Sequence, residues 1–407
     1  MAKMGSKRAE MVPKRLQLKL VSRQPAARRS DSPDKLPVVL LYGIDPSWTP
    51  EEKQEVIRQS RRLGLAMRRR GHSVRFLPVS HPDLRSVLSA YEPHQVLIFN
   101  WCEELPGRRR SEHKVAETLE ALRFTYTGAP PQVIRLSYDK PRVKRLLEAH
   151  GVSTPRWKLF RSPEEEGWSW YPAIVKLARE HCSIGVDAGA VVFGPEQLRQ
   201  RVEYVINTYR QPALVEEFID GPEYHVPLLG NDPIEMLPPV ERDFSALEDP
   251  AKHICSYNAK FVPESEEYQK IRNYVPARLS AEQMAELEDI CKKAYRAVGC
   301  RDYGRIDVRM RDGQFYVLDV NPNADISADA SLALAAQKAG YCYGELGSRV
   351  VALAAQRHPA FQNNPSDESS PATEPQAGDS AVRPGSSPAC GFHSPETWDV
   401  SCSLGTP

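Results

Sequence analysis

Gly304-Arg305-Ile306-Asp307-Val308-Arg309, then a turn at Arg311-Asp312-Gly313, then Leu318-Asp319-Val320-Asn321-Pro322-Asn323, is the stretch that decides the fold. An Asp-Gly turn between two apolar-alternating runs signals a β-hairpin. The period of two puts Arg305, Asp307 and Arg309 on one face, with Ile306 and Val308 turned to a core. On the partner strand Asp319 and Asn321 share a face, and Leu318 and Val320 oppose it. Pairing the strands can bring Asp307, Asp319 and Asn321 together. Two carboxylates and an amide oxygen form a hard donor set, which suits Mg²⁺ held by few protein ligands plus nucleotide phosphates. Arg305 beside them can neutralise charge developing on a phosphate or an oxyanion. A hairpin with one solvated, alternately charged face would read the same way in isolation.

Upstream, two further groups point in the same direction. Lys140 and Lys176 form one: Ile174-Val175-Lys176 closes an apolar strand and opens into the polar loop Leu177–Gly185. Loop amides and lysines together grip phosphates. The loop lacks the GxxxxGK[ST] pattern, and an exposed hairpin lysine is the plain alternative. The second group is Leu214-Val215-Glu216-Glu217-Phe218-Ile219-Asp220-Gly221-Pro222-Glu223. An apolar strand followed by a Gly-Pro turn can offer backbone groups and one carboxylate to an adenine edge and another carboxylate to a ribose. Solvent-exposed acids near a turn are the alternative. His181, Cys182 and His225 read as structural or substrate-lining, because no Cys-His-Asx order or metal-ligand spacing accompanies them.

The whole chain bounds these readings. It has 407 residues, 41% hydrophobic and 26% charged, enough for more than one buried core and too apolar for wholesale disorder. Mean hydropathy is -0.50, and no apolar run approaches the ~18 residues of a spanning helix. Basic and acidic residues number 54 and 53, a net charge of +1 that argues against a nucleic-acid binder. The basic N-terminus also lacks interleaved aromatics. None of the eight cysteines is spaced as CxxC, so reduced thiols are expected rather than a zinc ligand set. Strand-like runs at Leu36–Gly43, Ser73–Val79 and Gln95–Asn100 alternate with helical segments, among them a capping box at Thr49-Pro50-Glu51-Glu52. This predicts a parallel-sheet domain at 36–129. An α+β unit at 130–212 and a third segment at 213–357 follow. Residues 1–35 are basic and 358–407 are rich in Pro and Ser; both are expected to be disordered tails.

From about Tyr126 to Ala355 the chain resembles the ATP-grasp superfamily, in its D-alanine–D-alanine ligase branch. The likeness lies in YTGAPPQVIRLSYDKPRVKRLLEAHGVSTP, PAIVKLAREHCSIGV, LVEEFIDGPEYHV, SYNAKF and GCRDYGRIDVRMRDGQFYVLDVNPN. The resemblance implies an α/β fold in which an N-terminal parallel-sheet domain precedes two ATP-grasp lobes that sandwich ATP. It implies an ATP-dependent carboxylate–amine ligase that works through an acyl phosphate and releases ADP and phosphate. ATP and two Mg²⁺ ions, or Mn²⁺ in their place, would be required. By position, Lys140 and Lys176 would hold the phosphates, Glu216 the adenine amino group, and Glu223 the ribose, with Phe218 also at the ATP. Lys260 would reach the γ-phosphate from a closing loop. Asp307, Asp319 and Asn321 would hold the metals. Arg305 would stabilise the tetrahedral intermediate, with Ser183 as a further catalytic group. The implied partners are a small-molecule carboxylate and an amine in the cytoplasm, with no nucleic acid or membrane, and a homodimer left open.

The departures concern the amino-acid half. Asp319 stands where the family usually has Glu. Pro322-Asn323-Ala324-Asp325-Ile326-Ser327 replaces a segment that runs through Pro-Gly to Ser-Leu. Cys182 stands where the phosphate-loop Ser is expected, and Phe261 where a Tyr is. A Gly-Gly-x-Ser-x-Glu segment is replaced by Tyr42-Gly43-Ile44-Asp45. Asp45, Cys182, Phe261 and Asn323 are therefore the candidate substrate residues. The expected first substrate is a carboxylate larger or less polar than D-alanine. The alternatives are a true D-alanine–D-alanine ligase and a catalytically weak nucleotide-binding protein.

Overall fold

The computed structural model describes residues 36–181, 183–256, 259, 262 and 264–362. Cys182, Lys260 and Phe261 lie outside the described residues, as do the stretches 1–35 and 363–407.

The first sheet is parallel throughout. It contains β1 (Val38–Gly43), β2 (Val74–Val79), β3 (Leu97–Trp101) and β4 (Thr125–Tyr126), in the order β2-β1-β3-β4. Val38–Tyr42 are all buried, as a central strand covered on both faces requires. The helix Pro50–Arg69 begins on the expected capping box, in which Thr49 and Glu52 bond each other's backbone amides. The helix Tyr343–Ala355 packs directly on it, and a Cβ at Gly344 would collide with the Ala66 carbonyl. That contact ties the C-terminal end of the fold to the first layer.

Two antiparallel sheets follow. β5 (Trp157–Phe160), β6 (Ala173–Leu177), β7 (Val191–Val192) and β8 (Ala213–Glu217) run in the order β5-β8-β6-β7. The helix Pro195–Tyr209 covers this sheet, sharing a core of Val175, Val202, Val205 and Val215. The third sheet holds β9 (Glu223–Leu229), β10 (Glu235–Met236), β11 (Val240–Asp243), β12 (Arg272–Tyr274), β13 (Tyr303–Arg311) and β14 (Gln314–Asn321). Its order is β12-β11-β9-β13-β14, with β10 on β9. The three short strands β10, β11 and β12 were not legible as a sequence pattern.

Between the first and second sheets a helix at Pro131–Ser137 is followed by a separate one at Lys140–Ala149, which Asp139 caps by accepting from the Arg142 amide at 3.1 Å. β7 is only two residues long and follows a 3₁₀ turn. The tail does not begin at 358. His358 is fully buried with its Nε2 3.3 Å from the Pro93 carbonyl, and the helix Pro359–Gln362 brings Phe361 against the core.

Candidate active site

The hairpin forms as its Asp-Gly turn predicts. Arg305 lies opposite Asn321 and Asp307 opposite Asp319. A bulge between Asp307 and Val308 then shifts the register, so that Val308 faces Val317 and Leu318 has no cross-strand partner. Leu318 consequently lines a cavity beside Asp319, where simple alternation had sent it to the core. On its other edge β13 pairs with β9, placing His225 opposite Asp307 and Glu223 opposite Arg309.

The cavity encloses about 850 Å³, its open mouth included, within the range of small-molecule sites. Lys140, Lys176, Ser183, Glu216, Phe218, Glu223, Asp307 and Asp319 all line it. Lys140 opens its helix and ion-pairs with Asp319. Arg305 donates to both oxygens of Asp307 at 2.6 and 3.0 Å, and Asn321 Nδ2 donates to Asp307 Oδ2 at 3.0 Å. Burial alone would raise both carboxyls. Arg305 beside Asp307 and Lys140 beside Asp319 outweigh it and hold both below the usual carboxylate range. Two ionised carboxylates brought together on one hairpin fit a hard divalent cation such as Mg²⁺, while Asn321 turns its amide nitrogen rather than its oxygen to Asp307. The ammonium and guanidinium beside them show the negative potential that such an ion would meet.

Glu216 is more deeply engaged than its sequence position suggests. It is 1% exposed and lies between two ammonium groups, Lys144 Nζ at 2.7 Å and Lys176 Nζ at 2.5 Å. Lys144 was missed in the sequence. It lies four residues after Lys140 on the basic helix, a spacing that puts both on one face. Arg309 was placed on the right face without a role. It is buried, donates to Glu223 Oε2 at 3.0 and 3.1 Å and to the Ile219 carbonyl at 2.8 Å, and lies about 5 Å from the Phe218 ring. Ser183 adopts a left-handed backbone, φ 58°, and donates to the Cys255 carbonyl at 3.0 Å. His181 lines the cavity, with its Nε2 3.1 Å from Ser137 Oγ; burial first, then Lys140, pushes its pKa down to about 4.

Two of the candidate substrate residues sit elsewhere. Asp45 caps its own turn, accepting from the Ser47 amide at 2.8 Å and hydroxyl at 2.6 Å and from the Gly107 amide at 2.6 Å. Its carboxylate oxygens are thus engaged locally, and it does not line the large cavity. Asn323 lines a second, smaller cavity with Asn100, Trp101, Glu103, Glu112 and Tyr303. Its Oδ1 accepts from the Ala129 amide at 2.8 Å, and its Nδ2 donates to Glu112 Oε1 at 2.6 Å. Burial pushes Glu112 up to about 8 and Glu103 up to about 7.

Two antiparallel sheets line one cavity, with Lys176 on one, a carboxylate hairpin on the other and Lys140 at the start of a neighbouring helix; similarity to known ligases identifies this arrangement as an ATP-grasp ligase that forms a carbon–nitrogen bond. The family model described as D-ala D-ala ligase C-terminus matches residues 146–352. A D-alanine–D-alanine ligase of Halorhodospira halophila is 34% identical over 252 residues, 61% of this chain and 76% of the relative. One from Aquifex aeolicus is 28% identical over 77% of this chain and 99% of its own length. An uncharacterised Sinorhizobium fredii protein, y4sG, is 35% identical over 64% of this chain and 75% of its own length. The fold matches that of the Bacillus anthracis D-alanine–D-alanine ligase solved with ATP, at TM-score 0.62 and 19% identity, over 79% of this chain and 98% of that one. The chain belongs to the D-alanine–D-alanine ligase family. No described helix is long and apolar enough to cross a membrane.

Proposed function

We propose that the protein joins a small carboxylic acid, activated by ATP as an acyl phosphate, to an amine, releasing ADP and phosphate. One observation carries this reading: Lys140 at a helix start and Lys176, Glu216, Glu223, Asp307 and Asp319 from both antiparallel sheets line a single cavity. Lys140 and Lys176 clamp the phosphates, and Lys144 adds buried positive charge behind them. Phe218 packs against the adenine, the Glu216 carboxylate fixes Lys176 at its edge, and Glu223 takes the ribose hydroxyls with Arg309 holding its other oxygen. Asp307, Asp319 and Asn321 hold two Mg²⁺ ions, which neutralise charge on the transferring phosphoryl group. Arg305, anchored through Asp307, stabilises the oxyanion when the amine attacks. Ser183 shapes the phosphate loop, and Lys260 reaches the γ-phosphate from the segment after Cys255. Cys182 and Phe261 are kept as substrate residues on the family resemblance alone.

Asp45 is better read as a turn-forming residue than as the ammonium ligand, since Ser47 of its own turn and the distant Gly107 amide engage its oxygens. The smaller cavity, lined by Glu112, Glu103 and Asn323, is a second polar site. Three functional parts at about 36–129, 130–212 and 213–357 are proposed, in keeping with the three sheets. A reducing cytoplasm fits the five described cysteines, none of which is in a disulfide. A homodimer is proposed on the resemblance alone, to be checked by light scattering.

A phosphate-release screen over amino acids and short peptides with Mg-ATP, followed by product mass, tests the reading. Absence of any amine- or carboxylate-dependent ADP release refutes it. A second reading, D-alanyl-D-alanine synthesis, is favoured by the names of two relatives. Steady-state kinetics with D-alanine alone decide between them. A specificity constant of ~10⁴ M⁻¹s⁻¹ or above would establish the second reading.

A further inference from the structure

β9 carries Glu223 and His225 two residues apart, which places both on one face of the strand. The segment following β11 brings Cys255 beside them. A carboxylate oxygen, an imidazole nitrogen and the thiol sulfur lie within 4.8 Å of one another. All three residues line the large cavity. Nucleotide binding gives Glu223 a role but leaves the imidazole and the thiol without one.

We propose that Glu223, His225 and Cys255 form a zinc site inside the nucleotide cavity, and that zinc bound there competes with the nucleotide for Glu223. The competition rests on the reading of Glu223 as the ribose ligand; the zinc site does not. The donor set is chemically selective. A thiolate and an imidazole suit Zn²⁺, whereas Mg²⁺ and Ca²⁺ take oxygen ligands. His225 Nε2 and Glu223 Oε1 are 3.2 Å apart. Two ligands at about 2.0–2.1 Å on a tetrahedral ion are separated by about 3.3 Å, so an ion fits between them with little movement. Three protein ligands leave the fourth position facing the cavity.

The surroundings are those of a supported site. His225 Nδ1 lies 2.9 Å from Ser331 Oγ. A metal at Nε2 requires the ring proton on Nδ1, donated to that hydroxyl, and displaces the contact that Arg242 Nε makes to Nδ1 at 3.4 Å. Arg309 holds the other oxygen of Glu223 at 3.0 and 3.1 Å, leaving Oε1 for the metal. Ser183 holds the Cys255 backbone through its carbonyl. Zinc displaces the Cys255 thiol proton to solvent. The thiolate and carboxylate then balance the two positive charges of the ion.

The test uses the full chain, purified metal-free. Zn²⁺ is titrated against a chromophoric chelator, and Co²⁺ is followed by absorption. One equivalent of zinc is expected to bind with a dissociation constant of about 1 μM or below. Cobalt is expected to give a thiolate charge-transfer band. Cys255→Ser, nearly isosteric, should abolish the band. It should also weaken zinc by more than the about 10–100-fold that follows loss of an outer-shell partner. His225→Ala should weaken zinc as much, with thermal melting run on both variants to separate ligand loss from misfolding. Mg-ADP should raise the apparent zinc dissociation constant. No zinc bound tighter than about 10 μM, or equal binding in Cys255→Ser, overturns the site. Mg-ADP that binds by calorimetry yet leaves zinc affinity unchanged overturns the competition. If Mg-ADP does not bind while zinc does, the nucleotide reading fails and the zinc site stands.

Discussion

Replacing Glu216 with Gln should destabilise the protein far more than replacing Lys144 with Met, although the two residues are partners. Glu216 sits between two ammonium groups, 2.7 Å from Lys144 and 2.5 Å from Lys176, and both Glu216 and Lys144 are almost wholly buried. Removing the carboxylate leaves two buried cations facing each other. Loss of one partner from a buried ion pair costs about 3–5 kcal/mol. At about 2.1 cal/mol/K per residue over about 330 folded residues, each kcal/mol moves Tm by about 1.5 °C, so Glu216→Gln should lower Tm by roughly 4 °C or more. The pH dependence points to a similar magnitude. Burial would raise the Glu216 carboxyl, but the charges of Lys144 and Lys176 prevail and hold it at about 2 against an ordinary 4.5. At about 1.4 kcal/mol per pH unit that gap is on the order of 3 kcal/mol. Because the folded value is depressed, this stability is fully present above pH 4.5 and is lost as pH falls toward 2.

Lys144 differs because it is the surplus cation. Burial and then Lys176 depress its pKa despite Glu216. Its removal leaves a one-to-one pair of Glu216 with Lys176. The groups it also bonds, Thr154 Oγ1 and the Val317 carbonyl, already hydrogen-bond each other at 2.8 Å. Met fills a similar volume, so Lys144→Met should cost less than about 1.5 kcal/mol. Thermal and urea unfolding at pH 7 without nucleotide, repeated from pH 6 to pH 3, measure both variants. A Lys144→Met loss equal to or larger than that of Glu216→Gln would falsify the charge assignment. So would an acid limb unchanged in Glu216→Gln.

Asp319→Asn should keep the fold and remove most turnover, because an amide cannot carry the negative charge that holds the cations; ADP release near the wild-type rate would disprove the metal role. Truncation after Arg357 should lower Tm by a few degrees, since it removes the buried His358 and the packed Phe361, whereas truncation after Gln362 should not; equal melting of the two would show that this last helix does not dock. Glu112→Gln should raise Tm at pH 8 and leave it nearly unchanged at pH 4. Burial lifts the folded Glu112 carboxyl to about 8 from an ordinary 4.5, so the wild-type protein loses stability as pH rises between those values. A wild-type and variant difference independent of pH would contradict that burial.

The sequence by itself determined the hairpin and its face of Arg305, Asp307 and Arg309. Those depend on a two-residue period and a turn dipeptide, which act between neighbours in the chain. It also determined the strand–helix alternation of the first layer and the start of its first helix, both local signals. Tertiary structure decided what those side chains meet. Glu216 gained Lys144 because the basic helix docks against β8, a contact between residues 72 positions apart. Leu318 entered the cavity because a bulge, invisible in the alternation, shifted the strand by one residue. Asp45, free by sequence to meet a substrate, had its oxygens engaged by the Ser47 and Gly107 amides. His225 and Cys255 met because β9 lies beside β13 and the following segment returns over it. Periodicity assigns a residue to a face, but only the packing of distant segments decides which charges on those faces neutralise one another.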